Sequence, residues 1–500
     1  MQAATDSQKR PGPDWQAPQA AGPVLARVRP PGSKSVTNRA LVLAALAEDP
    51  VVITNPLRAR DTLLMAEALR ALGSVIEDSG GETASLETRP VETRSVETRS
   101  VETPSVETPS VQTRSAERAP ATTMADQAGT IVAWRVTPGR LTGAATVDVG
   151  NAGTVLRFVP PVATLARGDV EFRGDERASQ RPVGPLLAAL RDLGAVIDDG
   201  GRGAVPFIVS GQGGIGGGSV TLDASGSSQL VSGLLLSAPR FDKGAEVRHQ
   251  GPRVPSAPHI AMTVRMLQEA GAKVETGVTG RGRAGGQGGA GDLWRVHPGE
   301  LRPPAIAVEP DLSNAVPFLA AAMVTGGSVT IDGWPQRSLQ PASQILDVLT
   351  RMGAGCSPDT SGLTVTAAGP IRGLSGDLRD VSEAVPVLAA LAALADSPSE
   401  FTGIGHMRTH ETDRLAALAA EIGALGGDVT ELQDGLRIRP RPLRSDGGAF
   451  ASYNDHRMVM AAAVLALAIP GGLRVGNAAT VAKTFPDFTT AWSAMLERSP

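Results

Sequence analysis

A repeated unit constrains the fold of this 500-residue chain more than any other feature of its sequence. Each copy opens with small polar residues that lead into an Ala/Leu-rich helix. The copies begin near residues 33, 150, 225, 311, 380 and 454. Periods this long, mixing helical and strand patterns, indicate α/β units built by duplication. Because the helices are apolar on nearly every face, they must be buried.

A glycine closes the second helix in five of the six copies. It follows the last helical turn and precedes a short strand, at Gly73, Gly194, Gly271, Gly353 and Gly427. Glycine suits the left-handed conformation that commonly follows a helix C-terminus. The sixth copy, which ends in TFPDFTTAWSAMLE, has no closing strand.

Six units in a chain of this length predict two domains of three units each. We expect the first domain to span 33–308. The second would comprise 309–500 and residues 1–32, which include a predicted strand at Val24–Arg29. A two-domain body with functional groups on facing helix starts binds its ligand in the cleft between the domains.

A pentad tract at 86–115 interrupts the first unit. It reads LETRP-VETRS-VETRS-VETPS-VETPS-VQTRS. This polar run has neither a helical nor a strand period, so we expect a disordered insertion and not a ligand-binding segment.

Composition and charge exclude several classes of protein. A net charge of -4 argues against nucleic-acid and membrane-surface partners. A single cysteine, Cys356, excludes a disulfide framework. The N-terminus has no apolar stretch of the signal-peptide kind, and the Ala/Leu runs are too short to span a bilayer. We therefore expect a cytoplasmic protein, and a monomer.

Lysine is rare here, with five lysines against 42 arginines. A guanidinium is effectively never deprotonated, whereas a desolvated ammonium can give up a proton, so a lysine retained in such a chain suggests chemistry. Lys34 in PGSKS and Lys483 in AKTFPDF lie in small-residue loops beside predicted helix starts. Such positions bind anions.

Further polar groups gather at the helix starts of the first half. They are Ser35, Arg39, Gly153 with Arg157 one turn later, Arg181, and the run Ser227, Ser228 and Gln229. Each alone has an ordinary structural explanation, such as a tight turn or an N-cap. Together they predict binding sites for two anionic ligands.

The second half contributes HETDR at 410–414 and NDHR at 454–457. Glu411 and Arg414 share a helical face, which is also the pattern of an ordinary surface ion pair. Unpaired charge at the head of the buried helix after Asn454 would be costly. The His–Glu and Asp–His pairs are adjacent and face different ways, so we expect no metal site.

These segments, in this order, resemble the 5-enolpyruvylshikimate-3-phosphate synthase family. The motifs are PGSKSVTNR, GNAGT, RP at 181–182, SSQ, ETDR, NDHRM and AKTFPDF, and the resemblance covers about residues 24–495. It implies an α/β fold of two domains, each with three βαβαββ units around buried parallel helices. It also implies transfer of the carboxyvinyl group of phosphoenolpyruvate to the 5-hydroxyl of shikimate 3-phosphate, in aromatic amino-acid biosynthesis.

The resemblance implies small-molecule substrates, no metal and no organic cofactor. It assigns catalysis to Lys34, Glu411 and a second acid, either Asp380 or Glu383; we favour Glu383, which lies closer to the helix start. The phosphoenolpyruvate set is Lys34, Gly153, Arg181, Gln229, Arg414, Arg457 and Lys483. The shikimate 3-phosphate set is Ser35, Arg39, Ser227, Ser228, Gln229, Ser256, Glu383 and His410. Gly153 also implies room for the inhibitor glyphosate.

Two residues depart from the family pattern, and two other functions stay open. His410 and His259 stand where the family often has a lysine and a tyrosine. The sister activity on UDP-N-acetylglucosamine uses a loop cysteine, whereas Cys356 lies in MGAGCSP, a predicted helix-to-strand segment. A non-catalytic member that only binds shikimate-type ligands would not require Lys34, Glu411 and Lys483.

Overall fold

The structure of the protein is a computed structural model that describes residues 14–80, 132–279 and 291–497. The pentad tract predicted at 86–115 lies outside the described residues. Among the residues that are described, no helix has the length and apolar character needed to cross a membrane.

Strands and helices alternate along the described chain. The strands are β1 (Trp15–Ala17), β2 (Leu25–Val28), β3 (Val51–Thr54), β4 (Val75–Gly80), β5 (Val132–Thr137), β6 (Ala145–Asp148), β7 (Arg167–Arg173), β8 (Val196–Asp198), β9 (Phe207–Gln212), β10 (Gly218–Leu222), β11 (Ala245–His249), β12 (Val274–Thr279), β13 (Gly291–Val296), β14 (Ile306–Ala307), β15 (Ser328–Asp332), β16 (Ala354–Pro358), β17 (Gly362–Ala367), β18 (Ser375–Asp377), β19 (Ser399–Thr402), β20 (Asp428–Leu432), β21 (Gly435–Arg439) and β22 (Leu473–Val475). The α-helices are α1 (Lys34–Ala45), α2 (Arg60–Ala71), α3 (Gly153–Ala163), α4 (Glu176–Ser179), α5 (Gly184–Asp192), α6 (Ser228–Ser237), α7 (Ala257–Glu269), α8 (Leu312–Thr325), α9 (Ala342–Arg351), α10 (Val385–Ala393), α11 (Arg414–Ala424), α12 (His456–Ala466) and α13 (Phe488–Glu497). Short 3-10 helices lie at Ala238–Arg240, Arg379–Ala384, Gly405–Thr409 and Ala478–Lys483.

Five four-stranded sheets share one topology. Each has a parallel pair at one edge and antiparallel pairing for the remaining strands, which is what a βαβαββ unit produces. Their spatial orders are β14-β3-β5-β4, β6-β7-β9-β8, β10-β11-β13-β12, β16-β17-β15-β2 and β18-β19-β21-β20. The sixth copy is reduced, with β22 pairing antiparallel to β1. The α/β fold built from repeated units is confirmed.

Two of these sheets borrow a strand from a distant part of the chain. The N-terminal β2 pairs in parallel with β15, with Leu25 opposite Ser328. Strand β14, at the end of the first half, pairs in parallel with β3 near its start, with Ile306 opposite Ile53. The chain therefore crosses between its two halves twice, once after β2 and once after β14.

The buried apolar side chains form two separate cores. One runs from Val36 to Val308, and we call this part the first lobe. The other contains Ala17, Val24 and the residues from Leu312 to Met495, and we call it the second lobe. Helices α1, α3 and α6 run through the first lobe, and α8, α10 and α12 through the second. Whether each lobe is a domain with the boundaries given above stays a prediction.

The glycines that close the second helices adopt the expected left-handed backbone in four units. Gly73, Gly194, Gly271 and Gly353 have φ between 90° and 110°. In the fifth unit the prediction was wrong by one residue. Helix α11 ends at Ala424, and Gly426 has φ 88°, whereas Gly427 is not left-handed. Leu425 is followed by two glycines, and the first already supplies the turn.

Candidate active site

The central helices of the first lobe begin at the same cavity. Lys34, Gly153 and Ser228 are the first residues of α1, α3 and α6, and all three line it. Helix N-termini present free N–H groups and the positive end of the helix dipole. The second lobe closes the cavity with Glu411 and Arg457. An anionic ligand in this cavity would face several such helix ends.

Most of the predicted site residues line this cavity together. They are Lys34, Ser35, Arg39, Gly153, Arg181, Ser227, Ser228, Gln229, Ser256, Glu383, His410, Glu411 and Arg457. The remaining two, Arg414 and Lys483, contact the cavity carboxylate Glu411. The sequence motifs, which lie far apart along the chain, thus converge on one place.

Two acidic residues hold Lys34, one through its side chain and one through its backbone. Its Nζ lies 3.4 Å from Oδ2 of Asp61, and its backbone N–H donates to Asp311. Burial lowers the pKa of Lys34, but Asp61, Glu411 and Glu383 outweigh burial and the net direction is upward. Lys34 is therefore an ammonium ion at neutral pH.

Asp61 was not predicted as part of the site. An acidic residue in the first turn of a helix such as α2 normally just complements the helix dipole. In the structure Asp61 is only 2% exposed and lies between two lysines, with Lys483 Nζ 3.9 Å from its Oδ2. Its single negative charge is shared between the two ammonium groups.

Lys483 connects the two lobes at the cavity. Its Nζ lies 2.7 Å from Oε1 of Glu411 in the second lobe. The same Nζ donates to the backbone carbonyl of Asn151 in the first lobe, at 3.3 Å. Because the side chain is only 7% exposed, both contacts form in a region largely closed to water.

Arg414 organises the acids of the second lobe. It is fully buried, and Nε and Nη2 donate to the two carboxylate oxygens of Asp455 at 2.7 and 3.2 Å. It also lies 3.2 Å from Glu383 and 3.1 Å from Glu411. Burial lowers the pKa of Arg414, but the three carboxylates outweigh it and raise the pKa. Asp455, which the sequence analysis missed, also N-caps α12, and its position in NDHR before an apolar helix was the available signal.

Glu383 and Glu411 are both carboxylate ions. Burial raises the pKa of each, but Arg414 and Arg457 outweigh it for Glu383, and Lys483 and Arg414 for Glu411. Both pKa values end well below 4.5. Of the two candidates for the second acid, Glu383 lines the cavity, whereas Asp380 is not among the lining residues.

The first-lobe arginines that line the cavity bind neutral partners. Arg157 donates to Gln229 Oε1 at 2.9 Å and to the carbonyl of Pro182, and Arg181 donates to the carbonyl of Asn151 at 2.8 Å. Burial lowers the pKa of Arg157, and the neighbouring Arg181 adds to this. Within the described part of the chain, no carboxylate pairs with either guanidinium. This wall therefore carries positive charge that an anionic ligand can neutralise.

Arg39 and two of the serines are already engaged by the protein. Arg39 donates to Thr263, Ser232 and two backbone carbonyls, which occupies most of its N–H groups. Ser227 accepts from the Gln229 N–H as the N-cap of α6. Ser256, with φ 52°, donates its N–H across the lobes to the Arg379 carbonyl. Their contacts with a ligand stay a prediction.

The two histidines that depart from the family pattern both line the cavity. His410 Nδ1 accepts from Arg414 Nη1 at 3.1 Å, which places the proton of the neutral ring on Nε2. Burial, and then Arg414, lower the pKa of His410 well below 6.5. Burial lowers the pKa of His259 to about 4. Each neutral ring can donate one hydrogen bond.

Two further observations concern a possible metal site and the sister activity that uses a loop cysteine. Among the described residues, no group of three His, Cys, Asp or Glu side chains is arranged to hold a metal ion. Cys356 lies on β16, where its Sγ is 3.5 Å from the Thr350 hydroxyl, and it is not among the cavity residues.

Comparison with known families agrees with the motifs. The model of the EPSP synthase (3-phosphoshikimate 1-carboxyvinyltransferase) family matches residues 18–102 and 121–492. The chain belongs to the EPSP synthase family. The resemblance drawn from the sequence motifs is therefore confirmed, and the protein is an enolpyruvyl transferase.

Solved structures share the fold at low sequence identity. EPSP synthase from Acinetobacter baumannii superposes with a TM-score of 0.70 at 22% identity, covering 96% of this chain and 97% of that one. The enolpyruvyl transferase NikO from Streptomyces tendae superposes with a TM-score of 0.63 at 17% identity, covering 95% and 96%. The two-lobed arrangement thus occurs in enolpyruvyl transferases that differ widely in sequence from this chain.

Proposed function

We propose that this enzyme transfers the carboxyvinyl group of phosphoenolpyruvate to the 5-hydroxyl of shikimate 3-phosphate and releases phosphate. The observation that carries the proposal is the Lys483–Glu411 pair at 2.7 Å, which lies at the same cavity as Lys34 and as Arg157 and Arg181, the two guanidiniums that have no carboxylate partner among the described residues. This arrangement supplies positive charge for two anionic substrates and a carboxylate at the junction between them.

Phosphoenolpyruvate fits the part of the cavity between the lobes. Its phosphate and carboxylate would be held by Lys34, Arg181, Arg414, Arg457 and Lys483, with the Gly153 N–H at the start of α3. Gln229 would donate a further hydrogen bond to the phosphate. Preorganised charges of this kind act on the transition state without needing to reorient during the reaction.

Shikimate 3-phosphate fits the first-lobe wall. Ser35, Ser227, Ser228 and Ser256 offer hydroxyls there, and Arg39 supports the wall from behind. Glu383 and His410 would complete the site from the second lobe and contact the ring hydroxyls. The lowered pKa keeps Glu383 ionised and able to accept a hydrogen bond from the 5-hydroxyl, and an anion bound against Arg414 and Arg457 would raise that pKa so that Glu383 could accept the hydroxyl proton.

The reaction moves protons as well as the enolpyruvyl group. The 5-hydroxyl adds to C2 of phosphoenolpyruvate while C3 gains a proton, and phosphate then leaves as C3 gives the proton back. An anion bound against Lys483, Lys34 and Arg414 would neutralise the charges that hold down the pKa of Glu411. Its pKa would then rise, so Glu411 could carry the proton to and from C3. Lys34 keeps its proton and stabilises the leaving phosphate.

The alternatives have weaker support. The sister reaction on UDP-N-acetylglucosamine relies on a loop cysteine, whereas Cys356 is part of strand β16 outside the cavity. A protein that only binds its ligands does not need a buried Lys–Glu pair next to a second lysine. The expectations of a monomer and of a cytoplasmic location stay predictions.

Release of inorganic phosphate tests the proposal. The protein is incubated with phosphoenolpyruvate plus shikimate 3-phosphate, with phosphoenolpyruvate plus UDP-N-acetylglucosamine, and with each compound alone. Phosphate should appear only in the first mixture, and Glu411→Gln should release it at least about 100-fold more slowly. Glu67→Gln, at an exposed position of α2, is the matched control and should behave like the parent.

Each alternative has a distinct outcome. Phosphate release only with UDP-N-acetylglucosamine would replace the proposal by the sister activity. Calorimetric binding of shikimate 3-phosphate without phosphate release in any mixture would identify a non-catalytic member of the family.

A further inference from the structure

One arginine outside the cavity links the two lobes. Arg177 lies in the short helix α4 of the first lobe. Its Nε and Nη2 donate to the backbone carbonyl of His410 in the second lobe, at 3.3 and 3.1 Å. Nη2 also donates to the carbonyl of Arg408 at 3.3 Å. Nη1 binds Gln180 Oε1 at 2.6 Å, which fixes the orientation of the guanidinium.

The carbonyls that Arg177 binds lie at the end of the 3-10 helix Gly405–Thr409. The last carbonyls of a helix have no partners within it and carry the negative end of its dipole. Cationic side chains can satisfy them. Hydrogen bonds to a guanidinium are charge-assisted and stronger than neutral ones. Arg177 therefore caps a helix that belongs to the opposite lobe.

The capped segment leads directly into the cavity. Thr409, His410 and Glu411 all line it, and the Glu411 carboxylate contacts Lys483 and Arg414. The backbone at residue 410 determines where the Glu411 side chain starts. A cap on residue 410 therefore fixes the carboxylate as well as the helix end.

We propose that Arg177 is an interlobe latch that couples the approach of the lobes to the placement of Glu411. When the lobes are together, the guanidinium caps the 405–409 helix and the segment up to Glu411 is held. When they separate, the carbonyls lose their cap. Arg177 does not line the cavity, so it acts as a positioning residue.

Amide hydrogen exchange of the segment 405–411 tests the latch without any substrate. Arg177→Ala should exchange about tenfold faster there than the parent, because the charged cap is lost. Arg177→Lys, which keeps a cation but not the fork of donors, should lie between the two. The matched control is Arg173→Ala, which removes an exposed arginine four residues earlier that pairs with Glu171. Exchange in Arg177→Ala equal to that of Arg173→Ala would overturn the latch.

Turnover tests the coupling to Glu411, and this second arm rests on the proposed reaction. In phosphate release, kcat of Arg177→Ala should fall about 10- to 100-fold, as expected for a slightly misplaced proton-transfer group. KM for either substrate should change less than kcat, and Arg177→Lys should recover part of the rate. An unchanged kcat beside faster exchange would overturn the coupling. A parent that releases no phosphate would reject the proposed reaction, while the exchange result would still decide the latch.

Discussion

The two walls of the cavity, one from each lobe, differ in whether their buried arginines have carboxylate partners. On the first-lobe wall, Arg39 and Arg157 are buried among neutral donors and acceptors, and burial lowers the pKa of both guanidiniums. On the second-lobe wall, Arg414 is just as buried, but three carboxylates raise its pKa. The first wall is left with positive charge to be neutralised, whereas the second wall has already neutralised its own.

This contrast gives the two walls different roles, although Arg414, Arg457 and Lys483 of the second wall would also contact phosphoenolpyruvate. A guanidinium without a carboxylate partner gains most when an anion arrives, so the first wall is suited to hold substrate phosphate and carboxylate groups. A carboxylate among cations changes its proton affinity when those cations are occupied, so the second wall is suited to move protons. The two lobes thus contribute different steps to one site.

Replacing Lys34 should have the largest effect, because its ammonium lies where the walls meet. Lys34→Ala should lower the rate of phosphate release by about 10³-fold or more, equivalent to roughly 4 kcal/mol of transition-state stabilisation. Lys273→Ala, which removes an exposed lysine that also pairs with a glutamate, is the control. Near-normal turnover in a folded Lys34→Ala protein would reject the junction between the walls as the reaction centre.

The second acid gives a sharper test of the proton-transfer wall. Glu383→Gln should slow turnover by about 10²- to 10⁴-fold, the usual range for losing a general acid or base. Asp380→Asn, three residues earlier in the same 3-10 helix, should retain turnover within a few-fold. The reverse order of the two variants would assign the role to Asp380 and move proton transfer out of the cavity.

A methyl group at Gly153 should weaken the binding of phosphoenolpyruvate at the first-lobe wall of the cavity. A Cβ there would lie 2.6 Å from Arg181 Nη2 and 2.9 Å from Arg157 Nη1. Gly153→Ala should therefore displace a guanidinium and raise KM for phosphoenolpyruvate by about tenfold, the cost of one charged hydrogen bond. Inhibition by glyphosate, which we expect to compete with phosphoenolpyruvate, should weaken by more than this.

Gly226→Ala is the matched control for this variant. Gly226 also lines the cavity, but a Cβ there would meet only Pro182, at 3.7 Å. In Gly226→Ala, KM for phosphoenolpyruvate and the inhibition constant for glyphosate should both stay close to those of the parent. If Gly226→Ala changes them as much as Gly153→Ala does, crowding of the arginines is not the cause.

Mild acid should have the smallest effect. Burial lowers the pKa of His259 and His406 from 6.5 to about 4, and that of His410 and His456 well below 6.5. Because the unfolded chain binds these protons first, their contribution is complete above pH 6.5 and is lost as the pH falls toward 4. The melting temperature of the protein should fall as the pH is lowered from 7.5 to 4.5. Three of these histidines belong to the second lobe, so Trp492 should report unfolding at a higher pH than Trp134; simultaneous transitions would contradict this.

Much of the fold could be predicted because local patterns determine it. Small polar residues before an apolar helix, and a glycine after the next helix, mark each unit without reference to any distant contact. The one-residue error at Gly427 arose where two adjacent glycines both satisfied the local rule. Lys34, Gly153, Ser228, Arg414 and Arg457 could be proposed for the site for the same reason, since each stands in the first turn of its helix, whereas Lys483 is the last residue of a 3-10 helix.

What the sequence could not predict depends on long-range contacts. Asp455 pairs with Arg414 across 41 residues, and Asp61 meets Lys34 across 27, with no periodicity to connect them. The position of Arg39 near a predicted helix start indicated a contact with an anionic ligand. It could not show that the Arg39 guanidinium is occupied by Thr263, which lies 224 residues away in the sequence.

The long-range pairing of β2 with β15 has a consequence for how the protein is made. Strand β2, which belongs to the second lobe, leaves the ribosome about 300 residues before its partner β15. At a synthesis rate of roughly 5 to 20 residues per second, it waits on the order of 15 to 60 s with an open edge. During that interval β3 also lacks its neighbour β14. The three sheets of the first lobe all lie between β3 and β14, so a single cut after residue 308 leaves them complete but separates β1 and β2 from their partner strands in the second lobe.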